Sequence, residues 1–120
     1  MSPATHMARD MEACIANCED CHHICIETMM HCLKLGGKHA GPDHIRLLQD
    51  CIQMCQTCAD FMLRESALHM QTCALCAEVC ELCAEDCLRL GSDNAQMKAC
   101  AEICQRCADS CRMMSSARAA

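Results

Sequence analysis

Apolar and polar residues along this chain recur in steps of three and four, in four separate runs. The first run has apolar positions at 14, 18, 21, 25 and 32, and the second at 51, 55 and 58. The third has them at 73, 76, 80, 83 and 87, and the fourth at 100, 104, 107 and 111. Steps of three and four return side chains to one face of a helix, whereas strand alternation would scatter them over two. Breakers fall between the runs: Gly36-Gly37-Lys38-His39-Ala40-Gly41-Pro42-Asp43, then Arg64-Glu65-Ser66, then Gly91-Ser92-Asp93-Asn94. They predict helices over about 5–35, 43–64, 66–90 and 93–114 within a single domain spanning 1–120. At 1.5 Å per residue each is a rod of roughly 30 to 45 Å. Gly36 and Gly91 stand where a left-handed C-terminal cap belongs. Asp43 or Ser66 is a candidate N-cap, and Asp93 with Gln96 resembles a capping box. The tail after Met114 is expected to fray. Four amphipathic helices with short connections imply an all-α, antiparallel up-down four-helix bundle.

The inward stripe of every run is cysteine. It comprises Cys14, Cys18, Cys21, Cys25 and Cys32; Cys51, Cys55 and Cys58; Cys73, Cys76, Cys80, Cys83 and Cys87; and Cys100, Cys104, Cys107 and Cys111. Leu, Ile, Val and Phe together make up only 18 of the 120 residues, a level usual for disordered chains. The hydrophobic fraction is nevertheless 52%, because Cys (17), Met (11) and Ala supply most of it. A core can therefore form, but a cysteine-lined one. Met7 and Met11, Thr28, Met62, His69, Met97 and Met114 continue the stripes in step. Alanines beside the stripe (Ala59, Ala74, Ala77, Ala84, Ala101, Ala108) allow helices to approach closely. Leu75, Val79 and Leu82 with Ala99 and Ile103 form a second apolar seam, open to neighbouring helices or neighbouring bundles. Glu78, Glu81, Glu85 and Asp86 read as solvated surface.

Packing alone does not account for such a stripe. Reducing a core Leu to a cysteine-sized group costs on the order of 1–3 kcal/mol. Repeated along four helices, that exceeds the roughly 5–15 kcal/mol stability of a domain. Thiols three or four residues apart have Cβ atoms about 5–6 Å apart, wide for a disulfide at about 3.5–4.5 Å and suitable for two sulfurs gripping one ion. Thiolates are soft ligands for Cu(I), zinc or iron–sulfur clusters. Charge separates these. One Cu⁺ in place of each thiol proton leaves the interior neutral, whereas Zn²⁺ held by four thiolates leaves two negative charges uncompensated. Zinc and iron–sulfur sites also gather their cysteines in loops, unlike unbroken helical rows.

The net charge of −6 excludes a basic-patch nucleic-acid binder. No run of 18 apolar residues spans a membrane. Met1 to Asp10 carries no secretory pattern, so the expected location is cytoplasmic, where cysteines serve as metal ligands more often than as disulfides.

Several stretches carry a family likeness. They are Cys14-Ile-Ala-Asn-Cys18-Glu-Asp-Cys21-His-His-Ile-Cys25, the connection Gly36-Gly-Lys-His39-Ala-Gly-Pro-Asp-His44-Ile-Arg, and Cys73-Ala-Leu-Cys76-Ala-Glu-Val-Cys80-Glu-Leu-Cys83-Ala-Glu-Asp-Cys87. Cys100-Ala-Glu-Ile-Cys104-Gln-Arg-Cys107-Ala-Asp-Ser-Cys111 completes the set. The pattern closely resembles the bacterial copper storage proteins over nearly the whole chain, and the missing signal resembles their cytosolic branch. The resemblance implies a non-enzymatic store of many Cu(I) ions, held by all seventeen cysteines within a homotetramer of bundles. Exported members have a Met-rich mouth, whereas the matching connection here carries histidines. The resemblance places the opening near the first connection, and His39 and His44 are expected there as Cu(I) ligands. That end also gathers His31, Cys32, Cys87, Met97 and Cys100. Met7, Met11, Met62, Met70 and Met114 with His69 gather at the other end, read as an apolar plug. His22 and His23, lying between stripe cysteines, are read as structural or surface residues.

Two other functions compete. A zinc-sequestering protein of metallothionein type would use the same thiols, and a thiol redox buffer would pair them. No strand–CxxC–helix context supports a thioredoxin-like relay, and no Cys/His pair stands apart as a catalytic nucleophile.

Overall fold

In the computed structural model, the backbone is described for residues 3–116 and the side chains for residues 8–116. Four α-helices account for nearly all of it: α1 (Pro3–Leu35), α2 (Pro42–Leu63), α3 (His69–Gly91) and α4 (Ala95–Ser116). A short 3₁₀ turn over Gly37–Ala40 joins α1 to α2. Helix α1 packs on α2 and α4, and α3 packs on α2 and α4. Sequential neighbours joined by short connections run antiparallel, so the four close into an up-down bundle with extents of 50 × 22 × 19 Å. Among the described residues no helix is long and apolar enough to cross a membrane.

The helix ends depart from expectation in instructive ways. Gly36 (φ 71°) and Gly37 (φ 57°) carry the chain out of α1 through backbone space that glycine enters freely, and Gly36 N–H donates to the Cys32 carbonyl at 3.1 Å. Asp43 is not the cap of α2: Gly41 is, followed by Pro42, whose missing N–H costs nothing there. Glu65 (φ 53°), not a glycine, takes the left-handed position after α2, with Ser66 N–H bonding the Phe61 carbonyl at 2.9 Å. Ser66 does not cap α3 either. Its hydroxyl accepts from Leu68 N–H at 3.1 Å and shapes the connection, so α3 begins three residues late, at His69.

Gly91 is not a left-handed cap. It is the buried last residue of α3, without a positive φ, and Ser92 after it is still right-handed. The capping box at Asp93 and Gln96 is replaced by Asn94, whose Oδ1 accepts from Met97 N–H at 3.1 Å. Gln96 instead donates to Thr28 Oγ1 at 2.9 Å, across to α1. The expected fraying after Met114 gives way to helix through Ser116, where Ser115 and Ser116 hydroxyls bond the Arg112 carbonyl. Residues 117–120 lie outside the described residues.

The core is the sulfur column. Every one of the seventeen cysteines is buried and none is disulfide-bonded. Ala59, Ala77, Ala84, Ala101 and Ala108 are buried beside them, which lets the helices close on so narrow a core. Ala74, by contrast, is exposed. In the second seam Val79 and Ile103 are partly buried, but Leu75 and Leu82 remain about half exposed.

Candidate metal centre

The 3-4 spacing makes each helix a row of thiols, and the bundle brings the four rows together. Four quartets have all their sulfurs within 4.8 Å of one another. They are Cys18, Cys76, Cys107 and Cys111; then Cys55, Cys76, Cys80 and Cys107; then Cys21, Cys51, Cys55 and Cys80; then Cys21, Cys25, Cys51 and Cys104. Successive quartets share two sulfurs each: Cys76 with Cys107, Cys55 with Cys80, and Cys21 with Cys51. The result is a ladder whose rungs belong to both neighbours. Cys21 alone faces Cys51 at 3.8 Å, Cys80 at 4.0 Å and Cys104 at 3.6 Å, one sulfur from each other helix.

The remaining thiols extend the ladder at both ends. Cys14 lies 3.6 Å from Cys111, and Cys58 lies 3.5 Å from Cys73. Toward the other end Cys100 lies 3.8 Å from Cys25, with Cys83 and Cys87 buried nearby on α3. Met62 and Met114, both buried, close the column past Cys58 and Cys111. Met7 lies outside the residues whose side chains are described.

Thr28 and His44 are the buried polar residues described, so no Lys or Arg stands in the column to offset thiolate charge. Thiols that do ionise lean on their neighbours' S–H groups. Cys107 is held below the ordinary thiol range first by Cys111, and Cys111 is correspondingly held above it first by Cys107. Such a network accommodates a few negative sulfurs by sharing protons. It does not accommodate many without a cation to replace those protons.

At the end nearest the first connection the donors change. Cys32 Sγ lies 3.3 Å from His44 Nε2 and 3.4 Å from Met97 Sδ. His44 Nδ1–H donates to Asp86 Oδ2 at 2.6 Å. A carboxylate can only accept, so Nδ1 carries the proton of this bond, and in the neutral form of the ring Nε2 presents its lone pair to Cys32. Asp86 Oδ1 in turn accepts from Arg89 at 2.5 and 3.0 Å. Burial alone would raise the Asp86 carboxyl, but the His44 and Arg89 hydrogen bonds outweigh it and the net shift is downward. Burial, reinforced by Cys100 and Asp86, pushes the Cys32 thiol up to about 11.

Comparison with known proteins decides the family. The description "Copper storage protein" matches residues 7–116. The chain belongs to the copper storage protein family. It is 38% identical to the crystal structure of the Nmul_A1745 protein of Nitrosospira multiformis, with a TM-score of 0.84 over 91% of this chain and 97% of that one. It is 35% identical to the Cu(I)-bound copper storage protein BsCsp3, with a TM-score of 0.82 over 88% of this chain and 98% of the other. It is 36% identical to apo-Csp3 of Bacillus subtilis, with a TM-score of 0.78 over 87% and 97%. No curated protein matches the chain.

Within this copper storage fold, the sequence-predicted residues divide clearly. All seventeen cysteines converge on one axis. His44 joins them, though from the first turn of α2 rather than from a loop. His39 sits in the 3₁₀ turn, half-buried, and its Nδ1 is enclosed without a partner. His22 Nδ1–H donates to the Ile52 carbonyl at 2.8 Å, tying α1 to α2. His23 is on the surface, 78% exposed, beside Glu27.

Asp86 corrects the reading of the acidic residues as uniformly solvated. Its side chain is only 15% exposed, because it reaches from α3 to His44 on α2. Met97, which continues the fourth stripe and is expected at the same end as Cys32, lies directly against it. The signal for both lay in their positions, one residue before Cys87 and three before Cys100, at the same end as His44.

Proposed function

We propose that this chain stores many Cu(I) ions along its axis, with the seventeen cysteines as the ligands. The edge-sharing of the four quartets carries this reading. An ion in one quartet shares sulfurs with the next, and digonal or trigonal Cu(I) bridged by common thiolates suits that continuity. Isolated tetrahedral zinc sites do not need shared rungs and would leave a column of uncompensated negative charge. Each Cu(I) takes the place of one thiol proton, so the neutral column stays neutral as it fills.

Copper passes in and out at the end bearing His39 and His44, where imidazole and thioether replace some of the thiols. The bundles associate as a homotetramer, for which half-exposed Leu75 and Leu82 offer apolar contact area. The site of storage is the cytoplasm, whose reducing conditions keep the free thiols free. The test is anaerobic competition: reduced protein is offered equal Cu(I) and Zn²⁺, and the retained metals are measured after gel filtration. Copper retained in excess with little zinc is the expected result. Zinc displacing bound Cu(I) would replace this function with the zinc-sequestering one.

A further inference from the structure

The facing thiols keep register along the column. Between α1 and α4 they pair as Cys25 with Cys100 at 3.8 Å, Cys21 with Cys104 at 3.6 Å, Cys18 with Cys107 at 3.6 Å and Cys14 with Cys111 at 3.6 Å. Each pair lies three or four residues back on one helix and as many forward on the other. Between α2 and α3 the pairs are Cys51 with Cys80 at 3.8 Å, Cys55 with Cys76 at 3.9 Å and Cys58 with Cys73 at 3.5 Å. The same step taken once more, at the end remote from His44, sets Met11 opposite Met114 and Met62 opposite His69. The column thus ends in a layer with one sulfur or nitrogen donor from each helix. Met62 and Met114 are buried, and Met11 and His69 are half-buried.

This layer holds an unmet lone pair. His69 Nδ1–H donates to the Ser66 carbonyl at 2.9 Å, so in the neutral form of the ring Nε2 presents its lone pair. That nitrogen is enclosed by protein and has no partner. An enclosed acceptor without a donor is uncommon and costs stability until something meets it. An apolar plug needs no imidazole at all. Thioether sulfur and imidazole nitrogen are both ligands for Cu(I), and neither carries a proton that the ion must displace. A cleft of about 430 Å³ leads from solvent to Met11 and Met62. Glu12 and Glu65 line it and offer negative charge to an approaching cation.

We propose that His69 Nε2, Met62 Sδ and Met114 Sδ bind one Cu(I) at the end of the column opposite the first connection, with Met11 flanking the ion on the cleft side. The proposal rests on the storage reading above and goes beyond it. What reads in the sequence as an apolar plug becomes a thiolate-free site, one helical step beyond Cys58 and Cys73. The Ser66 carbonyl accepts from Nδ1–H and so decides which ring nitrogen is left for the metal. Three neutral donors hold a cation less tightly than thiolates do, because no ligand charge offsets the charge of the ion. The site therefore fills last as copper is added and empties first to an external chelator.

The experiment uses the full chain, reduced and free of metal, with histidine nitrogens labelled with ¹⁵N. Cu(I) is added anaerobically against a competing chelator, and the His69 Nε2 resonance, assigned by its loss in His69→Gln, is followed to saturation. That resonance should move strongly in the last step of loading, while those of His22 and His23 stay fixed. Met62→Leu and Met114→Leu, nearly isosteric, remove only a thioether each. Either should shift the midpoint of the His69 response to higher free Cu(I), and the double variant should lose the response and about one bound ion. Should His69→Gln not fold, ¹³C-labelled methyl groups of Met62 and Met114 are followed instead. They should move in that same step, and those of exposed Met30 and Met113 should not. A His69 resonance unmoved at full loading overturns the site, while a high capacity leaves storage intact. A strong His69 shift alongside a low total capacity supports the site and overturns storage. A double variant indistinguishable from wild type removes the thioethers from the site and overturns the proposal as stated.

Discussion

Gly91 makes room for Met97. A Cβ at position 91 would stand 2.7 Å from the Met97 Cγ and 3.0 Å from its Cβ, closer than carbon atoms pack. The last residue of α3 thus decides whether the first turn of α4 can lay its thioether against Cys32, 3.4 Å away.

Gly91→Ala should therefore destabilise the reduced metal-free protein despite alanine's better helix propensity. Overpacking costs about 1–3 kcal/mol, against a propensity gain of roughly 0.5–1 kcal/mol. A lowered melting temperature by circular dichroism is expected. An unchanged or raised one would mean that Met97 moves aside freely.

Cys21 belongs to two quartets and Cys25 to one. Removing a shared sulfur should disturb both neighbours, so Cys21→Ala should lose more bound Cu(I) than Cys25→Ala. Copper-to-protein ratios after desalting measure this. Equal losses would argue that each ion is held by its own private ligands.

Alkali should weaken the metal-free bundle. An unfolded thiol titrates near 9.0, and in the fold Cys32 is pushed up to about 11, chiefly by burial. A raised folded-state value means stability that is fully present below about pH 9 and lost as pH rises through about 11. Urea midpoints of the reduced protein should fall across that window and stay flat through neutral pH. The copper-loaded form, already deprotonated at sulfur, should not show the loss.

Glu65 holds a left-handed backbone position that glycine adopts more easily. Relieving about 1–2 kcal/mol of such strain, less the entropy that glycine adds to the unfolded chain, leaves Glu65→Gly roughly 0.5–1 kcal/mol more stable. Chemical denaturation checks the sign. A destabilised variant would show that the Glu65 side chain contributes more than its backbone costs.

The fold was legible because its signal is redundant. Cys14 to Cys111 repeat steps of three and four on every helix, and a four-helix bundle buries all four rows at once. The helix ends were less legible. Asp43, Ser66, Asp93 and Asn94 are all competent caps by chemistry, and only packing chose Asn94, leaving Gln96 free to reach Thr28. Asp86 was illegible for a different reason. It sits between Glu85 and Cys87 in a run that looks solvated, and its partner His44 is 42 positions away. Their meeting depends on the rotation of α3 against α2, which periodicity does not specify. Gly91 was misread because a glycine at a helix end has two uses, and steric clearance for Met97 leaves no local mark in sequence.

The most direct test of storage is anaerobic titration of the fully reduced chain with Cu(I) under a competing chelator, reading tightly held ions per protein. Sharing of sulfurs along the ladder predicts a ratio well above ten and approaching about one Cu(I) per thiolate. Saturation below about five ions per chain would leave most of the buried thiols idle and contradict the account.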